Sequence, residues 1–417
     1  MTSLAYAALC LFVFAVPWER IFALPGLSIT TRIAGGSALT VAMLAIVVSG
    51  RVRRWHGFHV AAFLFVIWVG IALFLIQVHQ LPQKFWTYVQ LFAVLWMIWE
   101  LAPSRQRVLG LMLAFVCGAY VSALGTILVF LRAGGSMKRY TAGGDANDLA
   151  MTLAVALPMA WYLGMTHRRR LVQWICRAYL PISLVAVGLT GSRGGLLATF
   201  MALLIVPLTM TNLSPAKLAT AISLLGLGGV LAAAYVPDTL VERFASTTTE
   251  VEDLRFGGRF KLWVAGFHAF VSKPVIGYGA GEFKDAITPQ LGSAAQVAHN
   301  SFISVLVEEG LVGLIIYVLM LLAVYSAILG LPPPERRFAL VVMATLMVAM
   351  SPLTWEDHKV VWFTLAALLG FARAPGWPLA RAVGRPLARG AAGMRPVAVA
   401  RGGATRGGRD TGRDAMA

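Results

Sequence analysis

Apolar runs recur along almost the whole of this sequence, near residues 4–16, 33–49, 58–77, 86–101, 108–131, 149–165, 171–190, 194–210, 218–236, 311–330, 338–352 and 359–371. Most approach the roughly 20 residues that a helix needs to cross a bilayer. A soluble core cannot absorb such runs in series. Composition agrees: 59% of the residues are apolar and 13% are charged, against about 25% charged in a typical soluble domain. The chain is therefore expected to be an all-α polytopic membrane protein, one bundle of about 12 transmembrane helices.

The net charge of +17 does not point to nucleic acid, because the cations sit between the apolar runs and in the tail. The clusters are Arg51-Val52-Arg53-Arg54, Arg105 with Arg107, Arg168-Arg169-Arg170, Arg336-Arg337 and the arginines from Arg373 to Arg413. With the N-terminus inside, alternation places every one of them in the cytoplasm, as the positive-inside rule requires. Both termini are then cytoplasmic. Residues 4–16 read as a retained first span rather than a cleaved signal. Residues 1–372 form the bundle, with one long periplasmic segment at 237–310 that is the natural place for a site. Residues 373–417 form a basic tail rich in Gly, Arg and Ala, expected to be disordered. It serves as a topological anchor or a contact for anionic lipid headgroups. The cysteines Cys10, Cys117 and Cys176 all fall in apolar stretches and suggest neither a disulfide framework nor a metal site.

Five short segments carry candidate chemistry. Thr190-Gly191-Ser192-Arg193-Gly194-Gly195 joins two apolar runs at the outer face. A charge at a membrane boundary is expensive and usually functional, and glycines let backbone N–H groups approach an anion. The plainer reading is a tight turn whose arginine reaches the headgroups. Arg259, Trp263, Gly266 and Phe270 have helical spacing, which predicts an amphipathic helix with Arg259 in its first turn. The run Gly277-Tyr278-Gly279-Ala280-Gly281 resembles a phosphate loop only superficially, because Glu282 stands where a dinucleotide fingerprint needs Gly; a turn fits better. His299 precedes Asn300, a natural N-cap, and Gly310 marks a junction before the next span. Asp145-Ala146-Asn147-Asp148 has the look of a carboxylate metal motif but lacks the further ligands of a calcium loop. No zinc spacing is present, so neither metal nor any other cofactor is expected.

Taken together, these pieces resemble the O-antigen ligase and O-antigen polymerase (Wzy-type) superfamily of bacterial membrane glycosyltransferases. The matching residues are Ser192-Arg193-Gly194-Gly195, Gly258-Arg259 with Trp263, Pro274 with Gly277-Tyr278-Gly279-Ala280-Gly281, and His299-Asn300-Ser301-Phe302 with Glu309-Gly310-Leu311-Val312-Gly313. Gly144-Asp145-Ala146-Asn147-Asp148 is a weaker further match, and the resemblance covers roughly 140–330. It implies a GT-C-like bundle in the bacterial inner membrane with a periplasmic active site. The donor would be a glycan on undecaprenyl diphosphate. The acceptor hydroxyl would belong to lipid A–core or to another glycan, in lipopolysaccharide or exopolysaccharide biosynthesis. The reaction would be metal-independent and inverting. Arg193 and Arg259 would hold the diphosphate, His299 would act as general base, and Asn147, Asn300 and Trp263 would support them. Arg259 and His299 are only 40 residues apart, which tilts the resemblance towards a polymerase or a ligase for a different acceptor.

Two other classes compete. Twelve spans with both termini inside is a common carrier or flippase layout, but the halves show no repeat and one outer segment dominates. A non-catalytic scaffold in a polysaccharide export complex is the other. Glycan transfer from a purified lipid-linked donor separates enzyme from carrier.

Overall fold

The computed structural model describes residues 2–19, 52–77, 82–134, 136–209 and 258–374, with scattered positions between 36 and 50. The apolar run at 218–236, much of that at 33–49, residues 237–257 of the outer segment and nearly all of the tail 373–417 lie outside the described residues.

The described residues are helical, with no strand among them. The elements are α1 (Thr2–Ala15), α2 (Gly57–Leu75), α3 (Gln83–Leu101), α4 (Arg105–Ala133), α5 (Ala146–Thr166), α6 (Arg170–Thr190), α7 (Arg193–Leu203), α8 (Ile205–Thr209), α9 (Arg259–Ser272), α10 (Phe283–Leu291), α11 (Ser301–Leu329), α12 (Pro333–Met350) and α13 (Lys359–Arg373). Local chemistry sets their ends. Ser104, Asp145, Ser192 and Asn300 each cap the following helix with a side-chain oxygen. Gly134 and Gly191 close α4 and α6 in the left-handed conformation that favours glycine.

Five described helices are long and apolar enough to cross a membrane: α2, α4, α5, α6 and α11. The other described helices are shorter or more polar. The run at 194–210 breaks at Leu204 into α7 and α8. Helix α13 has 15 residues, which is about 22 Å against a hydrocarbon core of about 30 Å. Helix α5 sits in the middle of the bundle, buried at nearly every position from Leu149 to Gly164, as suits a helix that is apolar all round.

Among the described residues, Arg53, Arg105 and Arg337, one from each of three basic clusters, mark one end of the bundle. The Arg53 backbone N–H donates to the Glu100 carboxylate at 3.0 Å, Arg105 pairs with Glu335 at 3.6 Å, and Arg337 donates to the Leu208 carbonyl at 3.1 Å. The opposite end is tied by Tyr140 N–H to the Leu189 carbonyl at 3.0 Å, by Ser301 Oγ to the Leu353 carbonyl at 2.9 Å, and by a Lys359–Glu19 ion pair. The candidate residues all lie at this second end.

Helix α9 forms where its spacing predicts and starts at Arg259, but its exposure does not follow the expected amphipathic pattern. It buries Leu262, Ala265, Gly266 and Ala269, and its exposed face still carries the apolar Phe260, Val264, Phe267 and Val271. Gly310 interrupts α11 with φ 68, and the 274–281 run clasps this kink. Leu311 N–H donates to the Pro274 carbonyl at 2.8 Å, Tyr278 N–H to Val307 at 3.0 Å, and Gly279 N–H to Glu308 at 2.7 Å. A Cβ on Gly310 would lie 2.1 Å from the Val275 carbonyl oxygen, and one on Gly277 2.3 Å from that of Glu308. These glycines are required by backbone packed on backbone.

Candidate functional site

The first half of the site is the turn between α6 and α7. Thr190 Oγ1 accepts from Ser192 N–H at 3.2 Å, and Ser192 Oγ accepts from Gly195 N–H at 3.1 Å. This makes Arg193 the first residue of α7. Ser192 Oγ also donates to Asn147 Oδ1 at 2.9 Å. The same oxygen accepts from Arg139 Nη2 at 2.7 Å, while Arg139 Nε donates to the Thr190 carbonyl at 3.0 Å. Asn147 is therefore bonded directly to the turn that presents Arg193.

The glycines of this turn do something other than expected. A Cβ on Gly195 would lie 2.3 Å from Ala150 Cβ, and one on Gly194 2.8 Å from the Met151 methyl and 3.1 Å from Pro352. They allow α7 to press against α5 and the loop after α12, a packing role that the sequence did not show.

The second half is built on α9 and the head of α11. Gly258, with φ 81, leads into α9, and Arg259 is its first residue. One turn on, Trp263 Nε1 donates to the Ala298 carbonyl at 2.9 Å, pinning the residue before His299. His299 itself has φ 47, a left-handed conformation that a side chain rarely adopts without support. Its N–H donates to Thr354 Oγ1 at 3.0 Å. Asn300 caps α11 by accepting from Phe302 and Ile303 N–H, both at 3.0 Å. Ser301 Oγ donates to the Leu353 carbonyl at 2.9 Å and accepts from Trp355 N–H at 2.8 Å.

Electrostatics join the halves. Burial lowers the His299 pKa, the Arg259 charge lowers it further, and Asp145 opposes both. Arg259 is also pushed down by burial and partly restored by Asp145. Asp145 caps α5 through Asn147 and Asp148 N–H, so it stands two positions from the Asn147 that holds the Arg193 turn. The N-terminus of α5 lies between the two arginine-bearing helix starts. The chemical consequence is a neutral imidazole at neutral pH, able to accept a proton, beside a permanent cation.

Several participants escaped the sequence reading: Arg139, Asp145 in this role, Thr354 and His358. His358 stacks on Trp355 with centroids 4.8 Å apart and planes at 12°. Beside Asp145 it lines a small pocket with Glu19, Gly143, Gly144, Asp148 and Thr152. Glu19 and His358 also line a groove of about 740 Å³. The groove follows one face of α3 from Gln83 and Lys84 to Leu91, Val94 and Met97, polar at the Gln83 end and more apolar towards Met97.

Residues 178–318 match the model of the O-antigen ligase family. The matched stretch contains Arg193, Arg259, Trp263, His299 and Asn300, and over it the expected resemblance to the O-antigen ligase and polymerase superfamily is borne out. Asp145 and Asn147 lie N-terminal to it. No curated protein matches the chain.

Proposed function

We propose that this chain is an O-antigen ligase-like membrane glycosyltransferase that moves a glycan from undecaprenyl diphosphate to an acceptor hydroxyl. The acceptor is lipid A–core or a second glycan, and the work belongs to lipopolysaccharide or exopolysaccharide biosynthesis. The observation that carries this reading is the meeting of Arg259, His299 and Asp145 in one electrostatic neighbourhood, bonded through Asn147 to the turn that presents Arg193. The family match over 178–318 supports it.

The acceptor hydroxyl gives its proton to neutral His299 as its oxygen attacks the anomeric carbon. The bond from that carbon to the diphosphate oxygen breaks, and the electron pair leaves with the lipid diphosphate. Arg193 and Arg259 stabilise the charge that builds there through planar, forked hydrogen bonds. Attack from the side opposite the leaving group inverts the anomeric centre, and no metal is needed. Asn147, Trp263 and Asn300 hold these groups in place.

The reading includes about 12 spans in the inner membrane, with residues 1–372 as the catalytic bundle, the segment at 237–310 in the periplasm, and the tail 373–417 in the cytoplasm. The 40-residue separation of Arg259 and His299 favours, as second reading, a polysaccharide polymerase with the same chemistry. Transfer assayed with purified protein and a lipid-linked donor tests the proposal, with lipid A–core and lipid-linked glycan supplied as separate acceptors. Failure to transfer to either overturns it.

A further inference from the structure

Lys84 had no role in the sequence, where it stands in the first turn of an apolar helix. In the structure its Nζ lies 2.7 Å from Glu308 Oε2 and 2.5 Å from Glu356 Oε1, with Ser304 Oγ at 3.5 Å. Glu308 is 3% exposed and Glu356 is fully buried. A buried ion cluster is weak support for stability as such, because packed apolar side chains do as well or better in its place. The geometry it enforces offers a better account of it.

The cluster joins segments that are remote in sequence. Glu308 Oε2 also accepts from Gly281 N–H at 2.9 Å, so the clasp over the Gly310 kink is tied to it. Ser304 and Glu308 belong to the first two turns of α11. Glu356 follows Thr354 and Trp355, the residues that receive His299 N–H and donate to Ser301. Trp362 Nε1 fixes the Glu356 carbonyl at 2.8 Å. Lys84 thus holds both sides of the cradle around His299: the head of α11 through Glu308, and the loop after α12 through Glu356. The left-handed backbone of His299 is the second observation. Such a conformation persists only where its surroundings over-determine it, and this cluster anchors the surroundings.

We propose that Lys84 is a positioning residue for His299, setting the place and direction of its imidazole through Glu356 and Glu308. The inference rests on the reading of His299 as the general base. In that reading Lys84 acts on His299 through Glu356 and Glu308 rather than on the donor, so its removal should change turnover and leave donor binding alone.

The test is a double-mutant cycle on detergent-purified protein, normalised to folded protein. Lys84→Met should lower turnover by about 100-fold, the scale of a misplacement near 1 Å, with donor binding unchanged. Lys84→Arg keeps the charge and should recover most of the loss. In a His299→Ala background, Lys84→Met should cost little more, because residues that act as a unit are not additive. An equal loss in both backgrounds, or wild-type turnover for Lys84→Met, overturns the proposal. Should Lys84→Met fail to insert, Glu356→Gln removes one charge with little change of shape and must show the same non-additivity with His299→Ala. A fully active His299→Ala strikes the underlying reading instead, and is recognised without any Lys84 variant.

Discussion

The backbone N–H of His299 donates to the Thr354 hydroxyl at 3.0 Å, across 55 positions of sequence. This bond fixes a histidine whose φ of 47 is unfavourable without it. Thr354→Val keeps the shape and leaves the N–H without its acceptor. It should cost about 1 kcal/mol of stability for a half-buried bond, while Thr354→Ser stays near wild type. Thermal unfolding of the detergent-purified protein checks the first effect. Turnover should fall more in Thr354→Val than the loss of folded protein accounts for; proportional losses would make the bond merely structural.

The clasp makes a sharper prediction about stability. Gly310→Ala combines a left-handed φ with a contact of 2.1 Å to a backbone oxygen, and Gly277→Ala does the same at 2.3 Å. Each should cost about 3 kcal/mol or more, read as loss of folded, inserted protein. Gly188→Ala, in helix α6 with nothing within 4 Å of the new methyl, should be neutral or stabilising by about 0.5–1 kcal/mol. Comparable yields from all of these variants would contradict the backbone-on-backbone account.

What could be read from the sequence was whatever has a local pattern. Asn300 as a cap, Gly310 as a junction, the 277–281 turn and the helix opened by Arg259 all follow from neighbours in the chain, and the structure contains each. The apolar runs were visible for the same reason, although length and polarity let only five described helices qualify as spans. Long-range partners gave no signal. Lys84 meets Glu308 across 224 positions and Glu356 across 272, and no spacing rule connects them. Gly194 and Gly195 were visible, but their purpose was not: whether a glycine faces an anion or a neighbouring helix depends on what packs against it, here Ala150, Met151 and Pro352.

The His299 environment sets a pH dependence. Burial and Arg259 hold its pKa below the ordinary 6.5, so the base is free above that pH and turnover should be level there, declining only on the acid side. Arg259→Gln removes a repelling charge, raises the histidine pKa and should move the acid limb to higher pH. Asp145→Asn removes an attracting charge and should move it lower. For stability the sign is the same as for activity. The unfolded chain binds the proton more readily, so this group's contribution is present above pH 6.5 and is lost as pH falls through the folded value. A pH–rate series on the three proteins checks the shifts; movement of both variants in one direction would contradict the assigned neighbours.

Topology can be tested without an assay for activity. Reporters fused after Arg170 and Arg337 should read cytoplasmic, and one near Gly292 periplasmic, because Arg337 belongs to the basic end of the bundle and Gly292 follows α10 on the site's side of the chain. A cytoplasmic signal at Gly292 would put the site on the wrong face for a periplasmic donor and end the mechanistic reading.

The two kinds of role assigned to the site separate in binding and turnover. Arg193 and Arg259 are proposed to hold the diphosphate, and His299 to take the acceptor proton. Arg259→Lys keeps a charge but loses the planar fork, so it should turn over faster than Arg259→Ala and more slowly than wild type. Loss of one charge-assisted contact made in the transition state should cost about 3 kcal/mol, or about 100-fold in rate. His299→Ala should be slower by roughly 100- to 10,000-fold, the range for a lost general base. Binding of a labelled undecaprenyl diphosphate analogue to the purified variants gives the second axis. Arg193→Ala and Arg259→Ala should weaken it, and His299→Ala should leave it nearly intact. Insertion must be verified first for Arg193→Ala, because Arg193 opens α7 where that helix is wedged against Met151 and Pro352. If His299→Ala loses donor binding while the arginine variants keep it, the roles are reversed; if all three turn over as wild type does, the chemistry lies elsewhere in the bundle.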